Sequence, residues 1–318
     1  MTATSPRTPA PVLVLVPGAT GAPSGGGPGY RLADPTVPQL SVTDLVATRG
    51  DGVFETIGAF DGSPVNVGPH LARLARSAEM IDLPAPDQAL LAEAVDAAIA
   101  AHESVAELSV RVMLTRGIEG EGTPTCWIHA RVSDDWGPCR AGMRVAVLDR
   151  GLPTTAPATS PWLLPGAKTL SYAVNMAALR HARAHGADDV IFTSSDGFLL
   201  EGPTSTVLIA RHDPDGRRRL LTPLRQKGIL AGTSQAVVFA AAHAAGWRLG
   251  YGPLIPADLE DVDGIWLASS VRGVLPVRAV DGRETPVDPT LTARLQAWLD
   301  ADGDPGHHVS GDPVTSDA

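Results

Sequence analysis

Apolar and polar positions alternate through the first half of the chain with the periods of strands and helices. The segment "GVFETIGAF", a turn at "DGS" and "PVNVG" predict a β-hairpin. Helical spacing of Leu71, Leu74 and Ala78 within residues 68–84 predicts a helix, and "DQALLAEAVDAAIAAH" predicts a second one with Asp87 as its N-cap. The segments "LSVRVMLTRG", "TCWIHARVS" and "MRVAVLDRG" predict three further strands, so the first half is expected to be α+β.

The second half mixes helices and strands in a different order. An alanine-rich run after Lys168 predicts a helix that looks mostly buried, and the turn "SSDG" is expected to join two strands. The segment "STVLIARHDPDGRRRLLTP" predicts a hairpin, and "GTSQAVVFAAAHAAGW" predicts an apolar helix. The segments "GIWLASS" and "VLPVRAV" predict the last two strands.

A Pro/Thr/Ala-rich stretch between the two halves interrupts all periodicity and is the best candidate for a linker. The expected architecture is therefore a two-domain protein of the α+β or α/β class. Its parts are a flexible N-terminal segment with one edge strand (1–39), a small α+β domain (40–151), the linker (152–165), a larger domain (166–302) and a disordered tail (303–318).

Composition restricts the class of protein. Hydrophobic residues make up 44% of the chain and charged residues 19%, and a mean hydropathy of +0.06 is typical of a soluble globular protein. The apolar runs are too short to span a membrane, and a net charge of −10 without a basic cluster argues against nucleic acid or an anionic membrane as partner. With only Cys126 and Cys139, no disulfide framework or cysteine metal site is expected, which favours a reducing cytoplasm.

Lys168 is the one lysine between residues 161 and 182, where an extended segment turns into a helix. Most lysines are solvated at the surface, and the position of Lys168 by itself is compatible with that interpretation. A partly buried amine with few carboxylate partners instead has a depressed pKa, and a neutral amine can attack a carbonyl carbon.

Three further segments carry groups that could act together with this amine. Glu201 follows an apolar run at the end of a strand, where a carboxylate needs a cationic or hydrogen-bonded partner unless it lies at the surface. The residues Gly232, Thr233 and Ser234 open an apolar helix and suit either a phosphate group or a plain N-cap. The segment "LASSVRG" adds two hydroxyl groups at a strand end. Each feature is weak alone, but their order along the chain is informative.

Seven segments of the chain resemble the fold-type IV pyridoxal-phosphate enzymes, also called class-IV aminotransferases. They are "RGDGVFETI", "HLARL", "RVMLTRG", "AKTLSYAVNMAAL", "GADDVIFTSSDGFLLEGPTSTVLI", "LLTP…GILAGTS" and "GIWLASSVRGVLPV", and they occur in the order typical of the family. The resemblance implies the D-amino-acid aminotransferase-like fold, pyridoxal 5′-phosphate as cofactor, a small-molecule substrate and a homodimer.

The same resemblance implies roles for individual residues. It makes Lys168 the lysine that binds the cofactor covalently, Glu201 the partner of the pyridine nitrogen and Arg73 a ligand of the cofactor phosphate. The remaining cofactor contacts it implies are Thr206, Thr233, Ser234 and Ser270. Thr206 stands where many relatives have an asparagine, so a hydroxyl replaces the amide expected beside the cofactor ring.

One departure from the family pattern bears on the reaction. The motif "GT-x-x-E-I-T-P" of typical aminotransferases is absent, and "SSVRGVLPV" stands in its place. This favours aminodeoxychorismate lyase, with an aminotransferase acting on branched-chain or D-amino acids as the alternative. Arg111 and Arg272 are candidates for binding substrate carboxylate, although Arg111 suits an exposed strand position equally well, and Thr56 is a candidate catalytic hydroxyl. A non-enzymatic cofactor-binding protein is a third possibility, against which Lys168 and Glu201 both speak.

Overall fold

Two β-sheets organise the chain in a computed structural model that describes residues 8–21 and 29–301. The first sheet is antiparallel throughout, with the strand order β2-β1-β6-β5-β3-β4. Its strands are β1 (Val12–Leu15), β2 (Arg31–Ala33), β3 (Gly52–Phe60), β4 (Ser63–Pro64), β5 (Glu107–Thr115) and β6 (Thr125–Val132). The accompanying helices are α1 (Leu45–Arg49), α2 (Val67–Glu79) and α3 (Gln88–Ala100).

The second sheet is mixed and has the order β11-β10-β9-β12-β13-β7-β8, with β14 paired to β13. Its strands are β7 (Met143–Asp149), β8 (Asp189–Thr193), β9 (Thr206–His212), β10 (Arg218–Pro223), β11 (Arg248–Gly252), β12 (Gly264–Ser269), β13 (Gly273–Val280) and β14 (Arg283–Glu284). The helices of this half are α4 (Ala156–Thr159), α5 (Ala173–Ala184), α6 (Thr233–Ala244) and α7 (Pro289–Asp300). Four short 3-10 segments complete the described chain, at Gly137–Ala141, Pro161–Leu163, Arg225–Lys227 and Pro256–Leu259.

Local signals in the sequence are confirmed where they concern turns and caps. Asp61 and Gly62 have φ angles of 47° and 81°, as a two-residue hairpin turn requires, and they join β3 to β4. The carboxylate of Asp87 accepts hydrogen bonds from the N–H groups of Ala89 and Leu90, both at 3.1 Å, and so caps α3.

Helices α2 and α3 pack on one face of the first sheet. Leu71 and Leu74 of α2 and Leu91 of α3 are fully buried against Val53 and Ile57 of β3. Each such side chain contributes about 1.5–3 kcal/mol by leaving water. This packing buries the face of β3 that carries Val53 and Ile57 and leaves the opposite face open to other contacts.

The boundaries of the predicted parts differ from the observed arrangement in three places. Strand β1 was expected at an edge, but β2 covers it, so β2 is the edge strand. Strand β7 was assigned to the small domain, yet it pairs in parallel with β13 and β8 of the second sheet. The linker at 152–165 contains α4 and a 3-10 segment instead of irregular chain. The predicted flexible N-terminal segment lies partly outside the described residues, and the predicted disordered tail (303–318) lies wholly outside them.

Helix α5 is less buried than its alanine-rich sequence predicts. Only Leu179 and Ala182 are buried in this helix, whereas Val174 is 59% exposed and Met176 is 40% exposed. Across residues 8–21 and 29–301, none of the helices combines the length and the apolar character needed to cross a membrane.

Candidate active site

Strand β3 presents its side chains alternately to two environments. Val53 and Ile57 are fully buried in the core of the first sheet, and Glu55 lies between them on the same face without exposed surface. Phe54 and Thr56 lie on the opposite face, because successive residues of a strand alternate. The short segment "FET" therefore contributes to two parts of one site.

Glu55 is the centre of a buried ion-pair network. Arg73 of α2 donates from Nε to Oε1 and from Nη2 to Oε2, both at 2.7 Å, and Nδ1 of His70 lies 2.8 Å from Oε2. Burial alone raises the pKa of Glu55, but Arg73 and His70 outweigh it and lower the pKa to about 2. Arg73 also donates from Nη1 to the carbonyl of Ala231 at 2.7 Å, which ties α2 to the segment that opens α6.

The N-terminus of α6 collects hydroxyl groups. The helix begins at Thr233, and its N-cap residue Gly232 has no side chain to satisfy the free backbone N–H groups. Thr233 Oγ1 and Ser234 Oγ each lie 3.4 Å from Ser270 Oγ, which itself lies 2.8 Å from Nε2 of His70. Free N–H groups and three hydroxyls at the positive end of a helix form a setting for a phosphate dianion.

Two glycines allow these groups to approach one another. Thr206 is buried at the start of β9, and a Cβ atom on Gly232 would meet its Oγ1 at 2.3 Å. A Cβ atom on Gly58 of β3 would likewise meet the backbone carbonyl of Ser270 at 2.4 Å. Thr206 therefore contacts the loop that opens α6, and its contact with a cofactor ring stays a prediction.

The backbone N–H and carbonyl of Lys168 both form hydrogen bonds. Its N–H donates to Ser77 Oγ at 3.1 Å, and its carbonyl accepts from the N–H of Phe54 at 3.0 Å, so the segment runs along the edge of β3. Nζ lies 4.3 Å from the ring centroid of Phe54 and 5.8 Å from that of Tyr172. Burial is the main cause that lowers the pKa of Lys168 to about 8. About a tenth of the amine is therefore uncharged at pH 7.

Tyr172 completes the surroundings of this amine. Its ring lies edge-on to Phe54, with the ring centroids 5.3 Å apart. Its hydroxyl donates to the carbonyl of Pro203, which also accepts from Asn175 Nδ2 at 2.7 Å. Burial, reinforced by Glu201, raises the pKa of Tyr172 to about 12, so the phenol keeps its proton near neutral pH.

Glu201 follows β8 and enters the same region. Its Oε2 accepts from the N–H of Leu230 at 3.1 Å. Burial raises the pKa of Glu201, while Arg150, this backbone hydrogen bond and Lys168 act in the opposite direction. A buried carboxylate in this setting is stabilised by a cationic N–H donor placed against it, which a protonated pyridine nitrogen provides.

A row of side chains crosses the first sheet on the face opposite its core. Thr56, Arg111 and His129 are direct neighbours across β3, β5 and β6. Nε of Arg111 is shielded from solvent and has no hydrogen-bond partner among the described residues. Burial and then Arg131 lower the pKa of Arg111, and burial and then Arg111 lower that of His129. Arg111 also lowers the pKa of Lys168, so this row lies within electrostatic reach of the lysine.

Arg272 has a partner within the protein. Its Nη1 donates to Oδ2 of the fully buried Asp189 at 2.6 Å, and its guanidinium lies 5.3 Å from the ring centroid of Trp136. Its buried Nη2 has no hydrogen-bond partner within the described ranges 8–21 and 29–301. Since Asp189 offsets the charge of Arg272, Arg111 is the better placed of the two predicted substrate arginines. The substrate role of Arg272 stays a prediction.

These groups fit pyridoxal phosphate. Arg73 and the hydroxyls at α6 suit its phosphate, Glu201 suits its ring nitrogen, and the amine of Lys168 suits its aldehyde. Arg73 and Glu201 both influence the pKa of Lys168, which brings all three parts into one site. The two-sheet fold and this site together define a pyridoxal-phosphate enzyme of fold type IV.

Comparisons with known proteins agree with this class. The family pattern described as amino-transferase class IV matches residues 52–280, and the chain belongs to that family. A fold IV-transaminase from Curtobacterium pusillum superposes with a TM-score of 0.86 at 47% identity, covering 91% of this chain and 99% of the other. The PLP-bound form of a hypothetical aminotransferase from Mycobacterium tuberculosis superposes with a TM-score of 0.83 at 40% identity, covering 92% and 98%. The predicted family, fold and cofactor are therefore confirmed.

A curated relative adds a pair of activities. The bifunctional aminodeoxychorismate lyase / D-amino acid transaminase of Mycobacterium tuberculosis is 45% identical over 270 residues, which are 81% of this chain and 92% of the relative. Its name contains the predicted lyase reaction and one of the two predicted alternatives, transamination of D-amino acids.

Sequence reasoning missed four residues of this site, namely Glu55, His70, Tyr172 and His129. Glu55 had a usable signal, because a carboxylate in the middle of an apolar strand needs a buried partner. His70 had another, since it stands three residues before Arg73 and so shares a helix face with it.

Proposed function

We propose that this chain is an aminodeoxychorismate lyase, which converts 4-amino-4-deoxychorismate to 4-aminobenzoate and pyruvate in the synthesis of a folate precursor. The observation that carries the proposal is the row of Thr56, Arg111 and His129 near Lys168, with a shielded Arg111 Nε that has no hydrogen-bond partner in the described part of the chain. The substrate carries a ring carboxylate and an enolpyruvyl group that ends in a second carboxylate. Arg111 suits such an anion, because charge-assisted hydrogen bonds to carboxylate are strong. The name of the curated relative supports the same reaction.

The roles of the individual side chains follow from their chemistry. Bound pyridoxal phosphate supplies an electron sink for negative charge that develops on the substrate. Lys168, with its pKa lowered to about 8, serves as the base that removes a substrate proton. Glu201 stabilises positive charge at the ring nitrogen, and Arg111 binds a substrate carboxylate. Thr56 is next to Arg111 in the row, and its hydroxyl donates a hydrogen bond toward the oxygen of the departing enolpyruvyl group.

Transamination of D-amino acids at the same site is the second candidate. The name of the curated relative supports it, and so does the similarity to solved transaminases. The same lysine, carboxylate and phosphate site serve both reactions, and Arg111 would then bind the single carboxylate of an amino acid. Branched-chain amino acids are the remaining donors to be tested.

We also propose that the enzyme is a cytoplasmic homodimer. Large apolar side chains are exposed at Trp162 (72%) and Val174 (59%), close together in sequence around the lysine segment. A second copy that covers these side chains would remove them from water. Light scattering of the purified protein measures the mass directly, and a monomer at micromolar concentration would contradict the dimer.

Product analysis tests the reaction. Purified enzyme loaded with cofactor is incubated with aminodeoxychorismate, and we expect 4-aminobenzoate and pyruvate in equal amounts over many turnovers. In a separate arm, each amino donor is added alone. Conversion of the cofactor to its pyridoxamine form with one equivalent of 2-oxo acid, and no 4-aminobenzoate from the first arm, would replace the lyase by the aminotransferase.

Arg111 is tested against a matched arginine on the same face. Arg131 donates two hydrogen bonds of 2.9 Å to Asp134, and this carboxylate neutralises its charge. Arg111→Gln is expected to raise the KM for aminodeoxychorismate about tenfold or more, the loss of one charge-assisted contact. Arg131→Gln is expected to change it much less. Equal effects of the two substitutions would remove Arg111 from the proposed substrate site.

A further inference from the structure

His70 is fully buried between the ion pair of Glu55 and Arg73 and the hydroxyl groups at the N-terminus of α6. Its Nδ1 lies 2.8 Å from Glu55 Oε2, and its Nε2 lies 2.8 Å from Ser270 Oγ and 3.3 Å from Thr233 Oγ1. Because Glu55 is ionised and can only accept, Nδ1 must carry the hydrogen of the first bond. In a neutral His70 the second nitrogen, Nε2, is then an acceptor, and it accepts a hydrogen bond from the hydroxyl of Ser270.

The charged groups around His70 come from several elements. Burial is the main cause that lowers the pKa of His70; Glu55 of β3 opposes it, while Arg73 of the same helix and Lys168 lower the pKa further. The groups that α6 and the turn after β12 place against the imidazole, Thr233 and Ser270, are uncharged hydroxyls. His70 is therefore neutral near pH 7 before an anion binds.

A bound phosphate dianion changes which hydrogen bonds these hydroxyls donate. Its oxygens only accept hydrogen bonds, so Thr233, Ser234 and Ser270 must turn their protons toward it. A hydroxyl has one proton to donate, and Ser270 cannot give it both to the phosphate and to Nε2 of His70. If His70 stayed neutral, Nε2 would become a buried acceptor without a donor, which is unfavourable.

We propose that His70 is a positioning residue that takes up one proton at Nε2 when the site captures a phosphate dianion. The protonated Nε2 then donates to Ser270 Oγ, and the proton of Ser270 is free for the phosphate. The proton comes from solvent or from a monoanionic phosphate, and no other bond is made or broken. Because the proposal concerns cofactor capture, it holds for either reaction considered above.

The proposal sets the sign of a pH effect. A dianion bound near the imidazole favours the protonated form, so the contribution of His70 to affinity grows as pH falls through the range between its free and bound pKa values. Within that range the contribution grows up to about tenfold per pH unit, the limit for one coupled proton. A histidine that only fills space would change affinity by a factor independent of pH.

The test compares the dissociation constant of pyridoxal phosphate between about pH 6 and pH 8.5 for three proteins. They are the wild type, His70→Gln, whose amide can donate to Ser270 without titrating, and His185→Gln, which changes an exposed histidine at the end of α5. Ionisation of the ligand and of Lys168 is common to all three and cancels in ratios. We expect the ratio of His70→Gln to wild type to rise as pH falls and the His185→Gln ratio to stay flat. A pH-independent ratio for His70→Gln would overturn the proposal.

A second measurement decides the matter if His70→Gln does not fold. Sulfate stays dianionic across this pH range, so protons taken up with it must bind to the protein. Titration calorimetry in two buffers of different ionisation enthalpy counts these protons. We expect uptake in the wild type and a smaller uptake in Ser270→Ala, which removes the acceptor of the new hydrogen bond. Absence of uptake in the wild type, or equal uptake in both proteins, would refute the role of His70.

Discussion

Replacement of Arg73 by alanine is expected to destabilise the cofactor-free protein as well as to weaken cofactor binding. The arginine makes three hydrogen bonds of 2.7 Å, two to Glu55 and one to the carbonyl of Ala231. Glu55 has no exposed surface, so its ionised carboxylate would lose its main partner without gaining water. His70 alone would remain beside it.

The magnitude follows from this geometry. Removal of one partner of a buried ion pair typically costs about 3–5 kcal/mol, because the other charge stays buried. The lost bond to Ala231 adds about 1 kcal/mol. We therefore expect Arg73→Ala to lower the free energy of unfolding by about 4–6 kcal/mol, and to weaken cofactor binding by roughly 1.5–3 kcal/mol through the lost phosphate contact.

The assay is urea unfolding without cofactor, followed by titration with pyridoxal phosphate. A double-mutant cycle with Glu55→Gln separates the ion pair from other effects, since the double variant carries no uncompensated charge. We expect it to be more stable than Arg73→Ala alone. Arg76→Ala, which changes an exposed arginine of the same helix, is the control. A loss below about 1 kcal/mol for Arg73→Ala, or no recovery in the double variant, would refute the reasoning.

The remaining predictions concern the lysine, its acidic partner and acid stability. Lys168→Ala should abolish covalent attachment of the cofactor, and borohydride should leave a pyridoxyl group on the wild-type peptide with Lys168; a group on Lys227 instead would contradict this. The rate of covalent capture should rise with pH and reach half of its maximum near pH 8 instead of 10.5, because only the free amine attacks and burial lowers its pKa to about 8; a continued rise above pH 9.5 would argue against it. Glu201→Gln should still bind cofactor, since an amide oxygen can accept from Leu230, but turn over at least about tenfold more slowly, or ~1.4 kcal/mol; near-normal turnover would place Glu201 outside the site. Finally, Glu55 has a folded-state pKa of about 2 against an ordinary 4.5, so its contribution to stability is present above pH 4.5 and is lost as pH falls toward 2; denaturation curves of Glu55→Gln should lack that part of the acid loss.

Much of the secondary structure could be read from the sequence, because turns, caps and amphipathic faces are local. Asp61 and Gly62 adopt the positive φ angles that a tight hairpin needs, and Asp87 caps its helix through neighbours two and three residues away. The seven segments that resemble the family were also enough to indicate it, since each segment carries its pattern in adjacent residues.

The pairing of strands depended on contacts between distant segments. The sequence of β7 predicts a strand, but its parallel partners β8 and β13 are reached through long connections without any turn signal between them. For the same reason β1 looked like an edge strand until β2 was found beside it. Hydrophobic periodicity indicates which face of a strand is buried, but it does not identify the strands or helices that pack against that face.

In the phosphate site, likewise, some residues could be predicted from the sequence and others could not. Arg73 and Ser270 were predicted as cofactor contacts from the family pattern, whereas Glu55 and His70, which join them, were not. A carboxylate inside the apolar strand "GVFETIGAF" conflicts with hydrophobic periodicity, and no nearby residue in the sequence explains it. Its partners come from α2, and the imidazole reaches a serine 200 positions along the chain. Buried charges are stable only when such partners are in place, and the packing of α2 and the two sheets decides which partners these are.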